Sequence, residues 1–240
     1  MKNKILMAIF LIALVFGMTA CNNPDGTQGN NGGGIVSKET ISGKWETSDS
    51  ANSTFEFTKD NVYIVVGNFG RPASREATQQ IYVYTGKYTI SGTIITLEGF
   101  GVIEVKSFSD EEFSFSLKLT DSNEAYNFQS VKQENTIASS SRTNMLCRYW
   151  KIVNFSALDD LTEQLIGSFV LFSRAGTYLV TYNDGRTGLS EWKWKNTEQT
   201  ILQYSWDHWE YFGEVQIQNL TASSLKIVEN GEVWELVPGN

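Results

Sequence analysis

The stretch Phe113-Ser-Phe-Ser-Leu-Lys-Leu119 alternates apolar and polar residues without a break. Successive side chains of a β-strand point to opposite faces. Phe113, Phe115, Leu117 and Leu119 therefore share one face, and Ser114, Ser116 and Lys118 the other. The same period runs from Ile41 onward. Phe55 and Phe57 flank Glu56, and Val62, Ile64 and Val66 alternate with Tyr63 and Val65. Gly86-Lys-Tyr-Thr-Ile90 and Thr93-Ile-Ile-Thr-Leu97 are separated by a Ser91-Gly92 turn. Alternation broken by turn residues every eight to twelve or so positions is the pattern of an antiparallel barrel or sandwich. Parallel sheets are apolar on both faces and do not fit it. None of the three prolines falls inside a strand so read.

The pattern occurs twice. Trp150 follows Trp45 by 105 residues, and Phe172 and Tyr178 follow Phe57 and Tyr63 by 115. Lys193-Trp194 follows Lys87-Tyr88 by 106, and Trp234 follows Tyr126 by 108. Spacings this similar imply a duplicated domain, with copies at 41–131 and 147–240 and a polar linker at 132–146. In copy two, Leu158, Leu161 and Leu165 stand at helical spacing behind Ser156, a residue suited to cap a helix. A short helix is expected to be inserted there. Each copy holds about eight short strands in roughly 90–100 residues, enough for a small closed barrel. The expected fold class is all-β, with two tandem small antiparallel β-barrels. A partly open sheet of five to eight strands is the alternative.

The first residues read as an address. Met1-Lys-Asn-Lys4 is basic, Ile5 to Phe16 is apolar and too short to span a bilayer comfortably, and small residues precede Cys21. Met18-Thr-Ala-Cys21 resembles the lipobox of bacterial lipoproteins. That resemblance implies cleavage before Cys21, its lipidation, and attachment to a membrane through the lipid anchor. The mature chain would have 220 residues, and loss of Lys2 and Lys4 leaves 17 Lys+Arg against 27 Asp+Glu, a net charge of −10. A surface of that sign repels phosphate backbones, so nucleic acid is not an expected partner. With Cys21 lipidated, Cys147 has no disulfide partner within the chain, and it reads as a small buried apolar residue. Residues 22–40 are a Gly/Asn-rich tether with a reach of roughly 20–25 Å.

Gly43-Lys44-Trp45 resembles the Gly-x-Trp opening of the lipocalin superfamily. A lipobox followed by Trp-led strand sets is similar to the lipocalin-like domains of Bacteroidota lipoproteins. The resemblance spans 41–131 and 147–240. It implies a bacterial cell-envelope protein anchored to the outer membrane. With Asp25 the sole acidic residue just after Cys21, the periplasmic side is favoured over the surface. Copy two departs from the motif, with Arg148 in place of the glycine. The Thr-Asp-Tyr loop and the late arginine that stacks on the tryptophan in lipocalins are absent from both copies.

Candidate chemistry is sparse. His208 is the one histidine, so no histidine cluster can hold a metal, and no cofactor is expected. No Gly-x-Ser-x-Gly, P-loop or His-Glu-x-x-His pattern occurs. The adjacent acids Glu111-Glu112 and Asp159-Asp160 read as solvated charges. Asp121, Asn123 and Glu124 lack the spacing of a calcium loop. The densest unusual stretch is Tyr204-Ser-Trp-Asp-His-Trp-Glu-Tyr-Phe212, preceded by Trp192 and Trp194. Alternation places Trp192, Trp194, Tyr204 and Trp206 inside the barrel, leaving no wide central cavity in copy two. A ligand site is expected at the rim, formed by His208, Trp209, Tyr211 and Phe212 with Asp207 as a polar anchor. The leading expectation is a non-catalytic binding module for a small apolar or glycan ligand. The alternatives are an envelope component with filled barrels that contacts a protein partner, and a hydrolase using paired carboxylates.

Overall fold

The computed structural model describes residues 34–48, 53–69, 82–122, 124–156 and 165–239. The signal segment, Cys21, residues 22–33 of the expected tether, Asn123 and the body of the expected inserted helix (157–164) lie outside them. The last part of the expected tether lies against barrel 1, with the Gly34 N–H donating to the Phe108 carbonyl and a helix beginning at Lys38. Among the described residues sixteen strands form two closed antiparallel barrels of eight strands each. Barrel 1 comprises β1 (Gly43–Thr47), β2 (Thr54–Phe57), β3 (Val62–Gly67), β4 (Tyr82–Ser91), β5 (Ile94–Leu97), β6 (Gly101–Phe108), β7 (Glu112–Leu119) and β8 (Ala125–Lys132). Barrel 2 comprises β9 (Tyr149–Phe155), β10 (Phe169–Phe172), β11 (Thr177–Thr181), β12 (Thr187–Trp194), β13 (Ile201–Ser205), β14 (Gly213–Leu220), β15 (Leu225–Glu229) and β16 (Glu232–Pro238). Each strand pairs with the next, and the last with the first, as the two-barrel expectation required. Pro238 does end a strand, contrary to the sequence expectation. It sits at the closing edge opposite Trp150, where a missing N–H is least disruptive.

A short helix precedes each barrel: α1 (Lys38–Ile41) and α2 (Ser141–Leu146), the latter within the segment read as linker. Ser37 and Ser140 cap them, each accepting from the backbone N–H three residues on. The last helical residue, Ile41 or Leu146, is fully buried. Its carbonyl accepts from the indole N–H of the tryptophan four residues later, Trp45 at 2.8 Å and Trp150 at 2.9 Å. Helix and strand are thereby tied into one plug at equivalent ends of the two barrels.

The interiors are filled by the inward-facing set. In barrel 1, Trp45, Phe55, Phe57, Phe113 and Phe115 meet edge-to-face or stacked. In barrel 2, Trp150, Phe172, Trp192, Leu202 and Leu236 occupy the same space.

The registers define the repeat more finely than spacing does. Tyr63 pairs with Gly86, and Tyr178 with Ser190. The counterpart of Tyr88 is therefore Trp192, 104 residues on, and not Trp194. The hydrogen bonds agree: the Tyr88 hydroxyl donates to the Thr58 carbonyl, and the Trp192 indole to the carbonyl of Ser173, the counterpart of Thr58. Trp194 instead lies half-buried, bonded to Thr143 of α2.

Strands β2, β3, β10 and β11 are buried on both faces. Their inner residues fill the barrels. Their outer residues Val62 and Ile64 pack against Leu171 and Leu179, an apolar cluster between the barrels. Both barrels belong to a single compact unit. The contact is quasi-symmetric, because Val62 and Thr177 are equivalent, as are Glu56 and Leu171. Where one half has Leu171 near Val62, the other has Glu56, 3% exposed, accepting a 2.6 Å bond from Thr177 Oγ1.

Candidate functional site

Two places on the barrels gather functional groups, the loop between β13 and β14 and the cleft where the barrels meet.

The loop is a departure from the repeat. In barrel 1, Leu97 pairs with Gly101, and three residues turn the chain. In barrel 2, the equivalent pair is Tyr204 and Gly213, and eight residues, Ser205 to Phe212, lie between. Gly213 has to be glycine, since a Cβ there would stand 2.4 Å from the Tyr204 ring. The loop is built around Ser205, which is buried. Its hydroxyl accepts from the N–H of Trp209 at 2.7 Å and of Asp207 at 3.3 Å, and shares its proton between Asp207 Oδ1 and the Tyr211 carbonyl. Asp207 Oδ1 also accepts from the Tyr211 N–H at 3.0 Å. That backbone bond, with the Ser205 hydroxyl, holds the Asp207 carboxyl below its ordinary pKa. His208 and Trp209 both have positive φ (56° and 74°), a strained conformation for non-glycine residues that the Ser205 and Asp207 bonds hold in place.

Tyr211 and Phe212 are 73% and 55% exposed. Trp209 is half-buried, with Lys193 Nζ 3.9 Å from its ring centroid. The His208 ring stands 3.6 Å from Glu191 and is almost fully exposed. The five residues expected at the rim therefore do sit on one loop at one end of barrel 2. Trp206 is a correction. Strand β13 ends at Ser205, so alternation stops there, and Trp206 lies outside the barrel, 49% exposed. Its ring lies 5.5 Å from Tyr178 and 5.9 Å from Tyr204. Gly188 makes room for it, since a Cβ there would come within 2.9 Å of the indole. Barrel 1 has Tyr84 at the position of Gly188 and Phe100 in the role of Trp206, stacked on Tyr63 and tilted against Tyr84. With that role taken by Trp206, Phe212 is left in solvent.

Beneath the loop, Tyr204 donates to Glu229. Burial, reinforced by Glu229, pushes its hydroxyl pKa up.

The cleft between the barrels has a volume of about 540 Å³. It was not foreseen from sequence. Its walls are equivalent residues of the two copies: Phe57 and Phe172, Thr58 and Ser173, Lys59 and Arg174, Gly43 and Arg148. The Cys147 thiol lines it, and burial, opposed by the Arg174 charge and helped by Glu56, pushes its pKa up to about 12. At neutral pH the thiol is un-ionised; the residue is partly buried, where the sequence suggested a buried one.

Among the described residues no cluster of three His, Cys, Asp or Glu side chains that could hold a metal is present. No family model matches the chain, and comparison with curated proteins finds no match.

Proposed function

We propose that the protein is a non-catalytic, lipid-anchored cell-envelope protein of lipocalin-like type that binds a glycan at the Ser205–Phe212 loop, outside the barrel. The observation that supports this reading is the asymmetry of the repeat. A turn of three residues in barrel 1 has become eight in barrel 2, and the added length carries Trp206, Trp209, Tyr211 and Phe212.

Exposed aromatic rings in a cluster mark interaction sites. A sugar ring has an apolar C–H face and a polar rim. Tyr211 and Phe212 offer the flat apolar partner, and Asp207, His208, Glu191 and Lys193 surround it with polar groups. The Ser205 bonds fix the loop before a ligand arrives, which lowers the ordering cost of binding. The packed interiors of both barrels favour a site outside them. Attachment to the outer membrane through Cys21, on its periplasmic side, would place the loop within reach of envelope polysaccharide.

A glycan array probed with the purified chain tests the reading. We expect binding by the wild type, lost in Tyr211→Ala and Phe212→Ala. Binding retained in both variants would remove the loop from consideration. Capture of a protein partner through the same two side chains would favour the envelope-interaction alternative.

A further inference from the structure

The cleft between the barrels divides into two unlike halves. Barrel 1 contributes Lys59, Glu56 and Asp60, and barrel 2 contributes the equivalent Arg174, Leu171 and Ala175. Copy two has thus lost both carboxylates and kept the cation. It has also gained Arg148 at the position of Gly43.

The two carboxylates of the barrel 1 half are already engaged. Glu56 accepts from Thr177, and Asp60 Oδ2 accepts from the Tyr149 N–H at 2.8 Å. The two guanidiniums are not balanced in this way. Arg148 is held in place by a 2.9 Å bond from Nη1 to the Ala222 carbonyl and by stacking at 5.3 Å on Trp150, yet its Nε is buried without a partner. The Arg174 side chain forms no hydrogen bond or ion pair among the described residues, and its Nε is likewise buried and unpartnered. Buried donors are nearly always satisfied, so two such nitrogens on residues that line one cleft are unusual. The Nε atoms are shut off from the open space of the cleft, and the terminal nitrogens of Arg174, which make no bond among the described residues, are the donors left to meet a ligand. A planar fork of donors matches the oxygens of a carboxylate or phosphate.

We infer that the inter-barrel cleft is a second binding site, in which Arg174 and Arg148 take the oxyanion of a small acidic ligand, a carboxylate or a phosphate. The partly exposed Ala175 and Cys147 side chains would meet the ligand's uncharged part. The engaged carboxylates on the opposite half repel a ligand bound in reverse and so set its direction. The site is independent of the aromatic loop.

The test uses the purified full chain with two probes, inorganic phosphate and succinate, each compared with sodium chloride at equal ionic strength. Thermal melting and titration calorimetry are the readouts. At least one probe should raise the melting temperature of the wild type above the chloride control. In Arg174→Gln that rise should vanish and affinity should fall at least tenfold, whereas Lys106→Gln, an exposed β6 position outside both the cleft and the loop, should behave as wild type. The ligand-free Arg174→Gln protein should melt at or above the wild-type temperature, because the side chain it removes makes no bond. Phosphate active alone would name a phosphate ligand, and succinate active alone a carboxylate. Three results would each overturn the proposal: no probe exceeding chloride, a shift that survives in Arg174→Gln, or a ligand-free Arg174→Gln that melts well below wild type and so marks the arginine as structural.

Discussion

The ammonium of Lys132 lies 4.9 Å from the centroid of the Trp45 ring, and its side chain passes through the space that a side chain at residue 43 would occupy. A Cβ on Gly43 would stand 2.8 Å from Lys132 Cε. The registers place Pro238 where barrel 1 has Lys132, and Arg148 where it has Gly43. In barrel 2 the cation therefore comes from the other side, with Arg148 at 5.3 Å from the Trp150 ring. Each copy keeps one cation over its opening tryptophan, and the position that does not supply it is occupied by glycine or proline. The Gly-x-Trp motif and the missing late arginine, read separately from sequence, are two parts of one arrangement.

That arrangement predicts coupling. Lys132→Ala should cost about 1–2 kcal/mol, since it loses the cation–π contact and the 3.1 Å bond to the carbonyl of Thr40, within α1. Gly43→Ala should be destabilising alone, through the clash and its φ of +130°. In the Lys132→Ala background its cost should be smaller, because the clashing atom is gone. Chemical denaturation of the four proteins gives the coupling energy. Strict additivity would mean that the two residues do not share space.

The opening tryptophans are fully buried and hydrogen-bonded through their indoles. Trp45→Ala and Trp150→Ala should each cost on the order of 3–5 kcal/mol. A loss under about 1 kcal/mol in denaturant titrations would put either ring outside the core.

The quasi-symmetric contact between barrels makes a sharper prediction. Thr177→Val removes the hydroxyl bonded to the buried Glu56 and should cost about 2–3 kcal/mol. Glu56→Leu added to Thr177→Val recreates, in that half, the Leu171 and Val62 contact of the other half. The double variant should recover most of the loss, because replacing both members of a buried polar pair by apolar groups is often neutral or better. A double variant less stable than Thr177→Val alone would show that the two halves are not interchangeable.

Alkaline pH should unfold the protein. Burial raises the pKa of Tyr63 to about 12 and pushes Tyr88, Tyr149, Tyr178 and Tyr204 upward as well. The Cys147 thiol rises to about 12 from 9.0. In each case the unfolded chain releases its proton at a lower pH than the folded one. The folded state then holds more protons, so stability falls as pH rises. The loss begins near pH 9 for the thiol and near pH 10 for the tyrosines, and it continues to about pH 12. A group that titrates only in the unfolded state costs up to about 1.4 kcal/mol per pH unit. Melting temperatures measured from pH 8 to 12 should drop steeply above about 10, and a flat profile would contradict the burial of these hydroxyls.

Much of this architecture was legible in the sequence because two barrels require alternation, and alternation is visible in stretches such as Phe113–Leu119. The tryptophans were legible as core because each opens a strand. Helices α1 and α2, of four and six residues, are too short to show a period. The apolar outer face of Val62 and Ile64 was visible as an unusually apolar strand, but its partners Leu171 and Leu179 lie 109 and 117 residues beyond Val62. Trp206 was misplaced because alternation was continued past Ser205, where a serine buried as a hydrogen-bond hub ends the strand. The cleft was invisible because its residues come from separate turns that only the docking of the barrels brings together.

The loop that carries the proposed glycan site can be removed along a line the repeat itself supplies. Residues 205–212 occupy the place that Glu98-Gly99-Phe100 occupies in barrel 1, between equivalent paired residues. Replacing the eight by Glu-Gly-Phe should restore a tight turn, and its phenylalanine should cover the Tyr178 ring as Phe100 covers Tyr63. Two residues with positive φ and the exposed aromatics Trp206, Tyr211 and Phe212 would be lost with the loop. The shortened protein should therefore melt within about 3 °C of wild type or above it, a difference of roughly 1 kcal/mol. Its glycan binding should disappear. A large fall in melting temperature would mean that the loop is part of the barrel's own packing. Intact binding in a stably folded shortened protein would place the glycan site elsewhere.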